Sequence, residues 1–368
     1  MNKLMRNWNK LIIGMVVLVI VIGFGVYLNR RPGPSAKPIN TSAGAKQTVT
    51  RPPVPRPVLS GADIETTESS GTNTSPRLPR EIVEEYLRKH DRNATSLLAA
   101  FHGLQDTNYL REAATNFPND PRVQRTVLAQ NLFPDDRRKW LDAFKTSSPS
   151  NSLATYLSAA DYFKNHQSDT GVKELLAASA IPQFNQFSMD SILDSEDFSQ
   201  FNGTSGMMAQ VSAMSAMASD NLPEVADMKG VAVGIRDAQQ QYVNSGDTAS
   251  AQSLAQAGVT LADHLMTGDS GKFIINQLVG IASENLVLAA LDQNASYAFL
   301  GGETPSQRLA ELQQQKAAIR ELAKHQNVFM SLDPQQQASY WERMKIYGEL
   351  PAMQWGVQQV PTTPNTGN

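Results

Sequence analysis

The string GDSGK at residues 268–272 is the stretch of this chain that most resembles a site for covalent or phosphate chemistry. A phosphate-binding loop needs a glycine five positions before Gly271, where Met266 stands. It also needs a serine or threonine directly after Lys272, where Phe273 stands. We therefore interpret the string as the start of a helix.

The histidines are the next candidates for acid–base or metal chemistry, and they are His90, His102, His166, His264 and His325. None of them lies in a metal-ligand motif such as H-E-x-x-H. Asp263 and His264 adjoin, but neighbouring positions on a helix point in different directions. The GDSG string resembles that of serine proteases, yet it lies between predicted helices rather than in a β-barrel. We predict no catalytic residue, no cofactor-binding residue and no metal ligand, and no cofactor.

Composition narrows the possible chemistry further. Cysteine is absent, which excludes disulfides, thiolate metal sites and a cysteine nucleophile. The net charge is −3, but residues 1–60 hold nine Lys/Arg and no Asp/Glu. Residues 180–305 hold fourteen Asp/Glu and three Lys/Arg. This acidic stretch argues against nucleic-acid binding, which needs clustered basic residues.

Helical periodicity predicts the elements that would position any site. Apolar residues recur at helical spacing and no convincing alternating strand pattern appears. Pro79 opens a first helix with acids in its first turn, Thr304-Pro305 opens a later one, and Asp333-Pro334 opens a last one with Tyr340, Trp341, Met344 and Tyr347 on one side. Ser270 or Asp269 is placed to cap an apolar helix through Leu288.

Residues 11–28 form the longest apolar stretch, eighteen consecutive uncharged positions. A helix of that length rises about 27 Å, close to the thickness of a bilayer core. It exceeds the apolar region of a typical signal peptide and lacks a following Ala-x-Ala site, which favours an uncleaved signal-anchor. A cleavable signal peptide is the alternative. The short basic N-terminus favours a cytoplasmic start, and so an inner-membrane protein with residues 29–368 in the periplasm or otherwise outside the cytoplasm.

The segment between the anchor and the folded part is poor in apolar residues. From Arg30 to Arg80 the chain carries nine prolines and no aromatic residue. Such a segment buries too little apolar surface to offset its ordering entropy, so we predict a disordered linker. Its Pro52–Pro55 match to P-x-x-P is a possible groove ligand, with a plain spacer as the favoured interpretation.

Turn-forming residues recur at a regular spacing within residues 93–180. Phe117–Pro121 and Ser148–Asn151 are predicted to end successive helix pairs, 31 residues apart. With Leu110, Ala113 and Pro118, and then Tyr156, Ala160 and Phe163, this stretch resembles the tetratricopeptide repeat. Tyr242, Gly246, Asp247 and Ala251 repeat part of the pattern. The resemblance implies a solenoid-like array with an extended binding surface.

A second resemblance covers the end of the chain. Residues 313–355 resemble the C-terminal tails of uncharacterised membrane-anchored bacterial proteins, which implies no activity.

The expected fold is all-α, with one N-terminal transmembrane helix, a linker and a helical repeat-like domain. The expected segments are a basic tail 1–10, the anchor 11–28, the linker 29–77, a repeat-like domain 78–180, a Met/Ser/acidic crossing segment or lid 181–222, a second helical region 223–350 and a disordered tail 351–368.

These features together predict a membrane-anchored scaffold or adaptor with a protein or peptide partner, and not an enzyme. Two alternatives stay open at this point. One is an envelope enzyme whose site residues are dispersed, which would show a deep pocket with converging acids or histidines. The other is a self-assembling structural spacer. The sequence leaves the partner, the oligomeric state and the biological process undetermined.

Overall fold

The computed structural model of this chain describes residues 78–204 and 206–360. The predicted basic tail 1–10, anchor 11–28 and linker 29–77 lie outside the described residues, as do residues 361–368. Every described element is helical apart from one isolated bridge between Asn151 and Gln183. The all-α prediction is therefore confirmed for this part of the chain, which belongs to one compact unit beginning at Leu78.

The N-terminal half of the unit is a succession of short helices. They are α1 (Arg80–Lys89), α2 (Ala94–Leu104), α3 (Thr107–Asn116), α4 (Pro121–Ala129), α5 (Arg137–Ser147), α6 (Ser152–Lys164), α7 (Ser168–Ser179) and α8 (Ser188–Phe201). A 3-10 turn, Pro134–Asp136, precedes α5. The helix-pair ends predicted at Phe117–Pro121 and Ser148–Asn151 are confirmed.

The C-terminal half is built around one long helix. Its helices are α9 (Met207–Ser245), α10 (Thr248–Met266), α11 (Ile274–Leu288), α12 (Pro305–Ala323), α13 (Val328–Ser331), α14 (Pro334–Tyr347) and α15 (Glu349–Gln359). Two further 3-10 turns are Ser270–Lys272 and Ala298–Leu300. Helix α9 packs against α2, α4, α6, α7, α8, α10 and α11, so it is the central element of the unit.

Short polar side chains fix many of the helix starts. Thr304 and Asp333 each form a capping box, with Gln307 and Gln336 respectively, and a proline occupies the next position in both cases. These two predicted starts are confirmed, as is the start after Pro79. Asn93, Asp106, Asp120, Asn151 and Asp247 cap α2, α3, α4, α6 and α10.

Three expectations about the later helices are wrong. Neither Asp269 nor Ser270 caps α11, because a 3-10 turn intervenes and the Glu349 carboxylate accepts the Ile274 N–H instead, at 2.7 Å. The tail expected to be disordered from 351 is helical through Gln359, because Ala352 packs in an apolar cluster with Phe273 and Met353 is buried as well. Helix α14 is consequently not the last helix.

Two more details depart from the sequence interpretation. Tyr347 is 60% exposed, so it does not share the buried side of α14 with Trp341 and Met344. Helix α9 runs through the boundary expected at residues 222–223, with Pro223 inside it. Burial of α9 side chains on both sides of the proline holds the helix together despite the missing donor.

Candidate functional site

Four charged side chains meet in the interior where α2, α4 and α9 come together. They are His102 on α2, Arg125 on α4, and Asp220 and Glu224 on α9. Each side chain is at most 2% exposed. Asp220 and Glu224 are four residues apart, so a helix places them on one face, one turn from each other.

Arg125 is the centre of this group. Its Nη1 donates to Asp220 Oδ2 at 2.7 Å, and its Nη2 donates to Glu224 Oε2 at 3.1 Å. A second bond joins its Nε to Glu224 Oε1. His102 Nε2 lies 2.9 Å from the same Asp220 oxygen that Arg125 reaches. The guanidinium therefore holds two carboxylates from adjacent turns of α9.

Neutral side chains extend these contacts to α11. Gln186 Nε2 donates to Glu224 Oε2 at 3.3 Å, and Asn276 Nδ2 donates to Gln186 Oε1 at 2.7 Å. Asn221 accepts from Arg125 and contacts Ser188 at the start of α8. We call the set of His102, Arg125, Asp220, Asn221, Glu224, Gln186 and Asn276 the buried polar network. It connects α2, α4, α9 and α11 through the interior of the domain.

The two carboxylates of the network differ electrostatically. Burial acts to raise the pKa of Asp220, but His102 and Arg125 more than offset it and hold that pKa below its ordinary value. Burial raises the pKa of Glu224, and the lowering effect of Arg125 does not cancel it. Asp220 is therefore the carboxylate that keeps its negative charge most firmly beside Arg125.

A small cavity adjoins the network between α2, α4 and α8. Its walls include His102, Arg122 and Arg125 on one side and Asp190 and Asp194 on the other. Its volume is about 10 Å³, room for roughly one water molecule. The Nδ1 atom of His102 is buried and has no hydrogen-bond partner. Acids, arginines and a histidine do converge here, but in a space too small for an organic substrate.

This arrangement suits a structural role better than catalysis. A general acid or base must come within hydrogen-bond reach of a reacting group, directly or through one water. Here the carboxylates of Asp220 and Glu224 already accept several internal donors, and the adjoining cavity admits only a water-sized molecule. The dispersed-enzyme alternative therefore gains no substrate-sized site from this cluster.

The string GDSGK lies away from any catalytic constellation in the described residues. Ser270 is buried, its Oγ has no hydrogen-bond partner, and its carbonyl accepts from Asn276. Lys272 pairs with Asp269 and donates to the Lys345 carbonyl. The string forms a tight turn before α11, where Gly271 approaches the Met266 carbonyl too closely for any side chain.

The histidines occupy separate places in the fold. His90 Nε2 lies 3.7 Å from Asp197, and His264 stacks on Phe184 at a centroid distance of 5.6 Å. Burial lowers the pKa of His264, which favours its neutral form. His102 lies in the last turn of α2, and its pairing with Asp220 was not predicted from the sequence. No group of three or more His, Asp or Glu among the described residues could hold a metal ion.

Sequence reasoning missed the central residues Arg125, Asp220 and Glu224. A signal for the two acids exists, because they interrupt a stretch, 209–228, whose other residues are mostly apolar or small. A charge in such a setting is buried only when paired. Arg125 lies 95 positions from Asp220 and 99 positions from Glu224, however, so the pattern alone could not have matched them.

Between residues 78 and 360, excluding residue 205, no helix combines the length and apolar character that crossing a membrane requires. The chain matches no protein-family model, no curated protein and no solved structure.

Proposed function

We propose that this protein is a membrane-anchored helical scaffold or adaptor, whose domain from Leu78 onward binds a protein or peptide partner outside the cytoplasm. The anchor is the uncharged stretch 11–28, and the linker is the proline-rich segment 29–77.

The observation that carries the binding role is a succession of three helix pairs. They occupy residues 94–116, 121–147 and 152–179, and a polar side chain caps the helix that follows each of the first two pairs. Arrays of this kind bury one side of each pair against the next and leave an extended outer surface. Such surfaces usually bind peptides or protein segments, a fold-level analogy that supports binding without identifying the partner.

The interior of the domain supports the same proposal. Its buried charges are paired with one another, and the cavity beside them holds about one water molecule. Recognition would therefore take place on the outer surface of the helices. Whether the three pairs are true tetratricopeptide repeats is part of the proposal.

Site-specific photo-crosslinking of the full chain in cells tests this function. A photoreactive residue replaces Leu176, which is 41% exposed on the third helix pair, and in a second variant Val243, 40% exposed at the end of α9, serves as the control position. We expect one defined second polypeptide to crosslink at position 176 and not at 243. Crosslinks only between copies of this chain would favour the self-assembling spacer, and no crosslink at any exposed position on the three pairs would contradict the proposal.

A further inference from the structure

Helix α8 lies between two joints in the backbone. Phe187, just before it, has a φ of 53°, and its start has no side-chain cap. After its end, Gly203 and Gly206 have φ values of 79° and 60°. A Cβ atom added at either glycine would contact nothing within 4 Å, so no neighbouring side chain packs against these two positions. These two turns separate α8 from the helices before and after it, and we call α8 the strap (Ser188–Phe201).

The strap bridges two apolar clusters. Phe198 packs in the N-terminal cluster, edge-on to Tyr86 at a centroid distance of 5.0 Å and directly against Gly103. Ile192 packs in the C-terminal cluster with Phe273 and Trp341. The closed strap also forms one wall of the cavity beside the buried polar network. Its opening would let water reach His102 and Arg125.

Two acids of the strap are well satisfied. Asp197 accepts the Tyr86 hydroxyl at 2.8 Å, and His90 approaches the same carboxylate. Glu196 lies 3.2 Å from Lys345 Nζ and also accepts the Trp341 indole N–H. These contacts hold the strap to α1 and α14, with Glu342 of α14 also paired to Lys345.

Asp194 and Asp190 are held differently. Both line the cavity, and neither carboxylate accepts a hydrogen bond from the described residues. Arg122 Nη1 is 3.8 Å from Asp194, too far for a hydrogen bond. Burial raises the pKa of Asp194 to about 7, Arg122 and His102 act in the opposite direction, and Asp190 and Asp197 raise it further. Arg125, Asp220 and Glu224 stand behind His102 and neutralise one another in part.

We propose that the strap is a proton-dependent closure, held shut over the buried polar network when Asp194 is protonated and loosened when Asp194 ionises. The direction of the pH dependence follows from the pKa of Asp194 in the closed and in the open strap. The closed strap keeps the carboxyl protonated up to a pH of about 7, whereas in an open strap Asp194 regains its ordinary pKa of 3.8. Opening therefore releases a proton between these values and becomes more favourable as the pH rises. The inference is independent of the proposed function.

The absence of native cysteines allows a direct measurement of strap opening. Ser195, on the strap, and Ser283, on α11, are both at most 1% exposed. Each is replaced by cysteine in the full chain in detergent, and the rate of thiol labelling is measured from pH 5 to pH 8. Each rate is divided by that of the same variant unfolded in urea, which removes the titration of the thiol itself.

We expect protection at Ser195→Cys to fall about tenfold per pH unit from pH 5 to 6.5 and to level off above pH 7, because one proton is released. Protection at Ser283→Cys should change much less. Adding Asp194→Asn should abolish the difference in pH dependence between the two cysteines. Asp169→Asn, at an exposed position on α7, should preserve that difference. Equal pH dependence at both cysteines, or a dependence that survives Asp194→Asn, would overturn the proposal. Hydrogen exchange of residues 188–201 in the unmodified chain provides the same readout if a cysteine variant does not fold.

Discussion

Replacing Arg125 by methionine is expected to destabilise the domain severely. The change keeps most of the side-chain volume but removes the donors that hold Asp220 and Glu224, which are 0% and 2% exposed. Removing one partner of a buried ion pair lowers the free energy of unfolding by about 3–5 kcal/mol, because the remaining charge is left uncompensated. For a domain of this size such a loss lowers the melting temperature by on the order of 10 °C.

The measurement is urea unfolding of the full chain in detergent, followed by helical circular dichroism. Arg236→Met is the matched control, since Arg236 lies on α9 with a side chain that is 35% exposed and pairs with exposed Asp237. A loss below about 1 kcal/mol is expected there. Adding Asp220→Asn and Glu224→Gln to Arg125→Met should recover most of the stability, because no uncompensated charge then remains.

The loss in Arg125→Met should also shrink as the pH falls. Without the guanidinium, both carboxylates must take up protons to stay buried, and low pH supplies those protons. A loss under about 1 kcal/mol at neutral pH would refute the reasoning, because it would mean that the network is hydrated in solution and not buried.

Three further predictions concern single contacts. Gly103→Ala should cost about 1–3 kcal/mol, because its Cβ would lie 2.5 Å from the Phe198 ring, and Phe198→Leu should recover part of that loss in urea unfolding. Burial raises the pKa of Glu349 to about 7, so its contribution to stability is present below 4.5 and is lost as the pH rises through 7. Glu349→Gln keeps an acceptor for the Ile274 N–H and should make the urea midpoint nearly independent of pH between pH 5 and 7. A midpoint that falls with pH as steeply as in the unmodified chain would contradict this. Thr304→Ala should cost about 1 kcal/mol by loss of the cap, with faster hydrogen exchange confined to the first turn of α12.

Local signals in the sequence were sufficient to predict many helix boundaries. Thr304-Pro305 and Asp333-Pro334 start helices because a cap and a favourable first residue act within one turn. The breaks at Phe117–Pro121 and Ser148–Asn151 follow from proline and polar turn residues in the same way. Each of these signals acts over a few residues, which is why sequence alone reveals it.

Features that depend on distant partners could not be predicted. Ile274 begins α11 because Glu349, 75 positions away, accepts its N–H. The helix at Glu349–Gln359 forms in a segment that looked like a tail because Ala352 belongs to a cluster with Phe273 and Trp341. The buried polar network depends on contacts between α4 and α9, and no pattern within either helix specifies that contact.

Fusion of two reporters to the C-terminus tests most directly whether the domain lies outside the cytoplasm. One reporter is an alkaline phosphatase that is active only outside the cytoplasm, and the other is a fluorescent protein that matures only inside it. We expect phosphatase activity in the membrane fraction, and we expect this activity to be lost when residues 11–28 are deleted. Fluorescence with no phosphatase activity, or a full-length chain that fractionates away from the membrane, would contradict it.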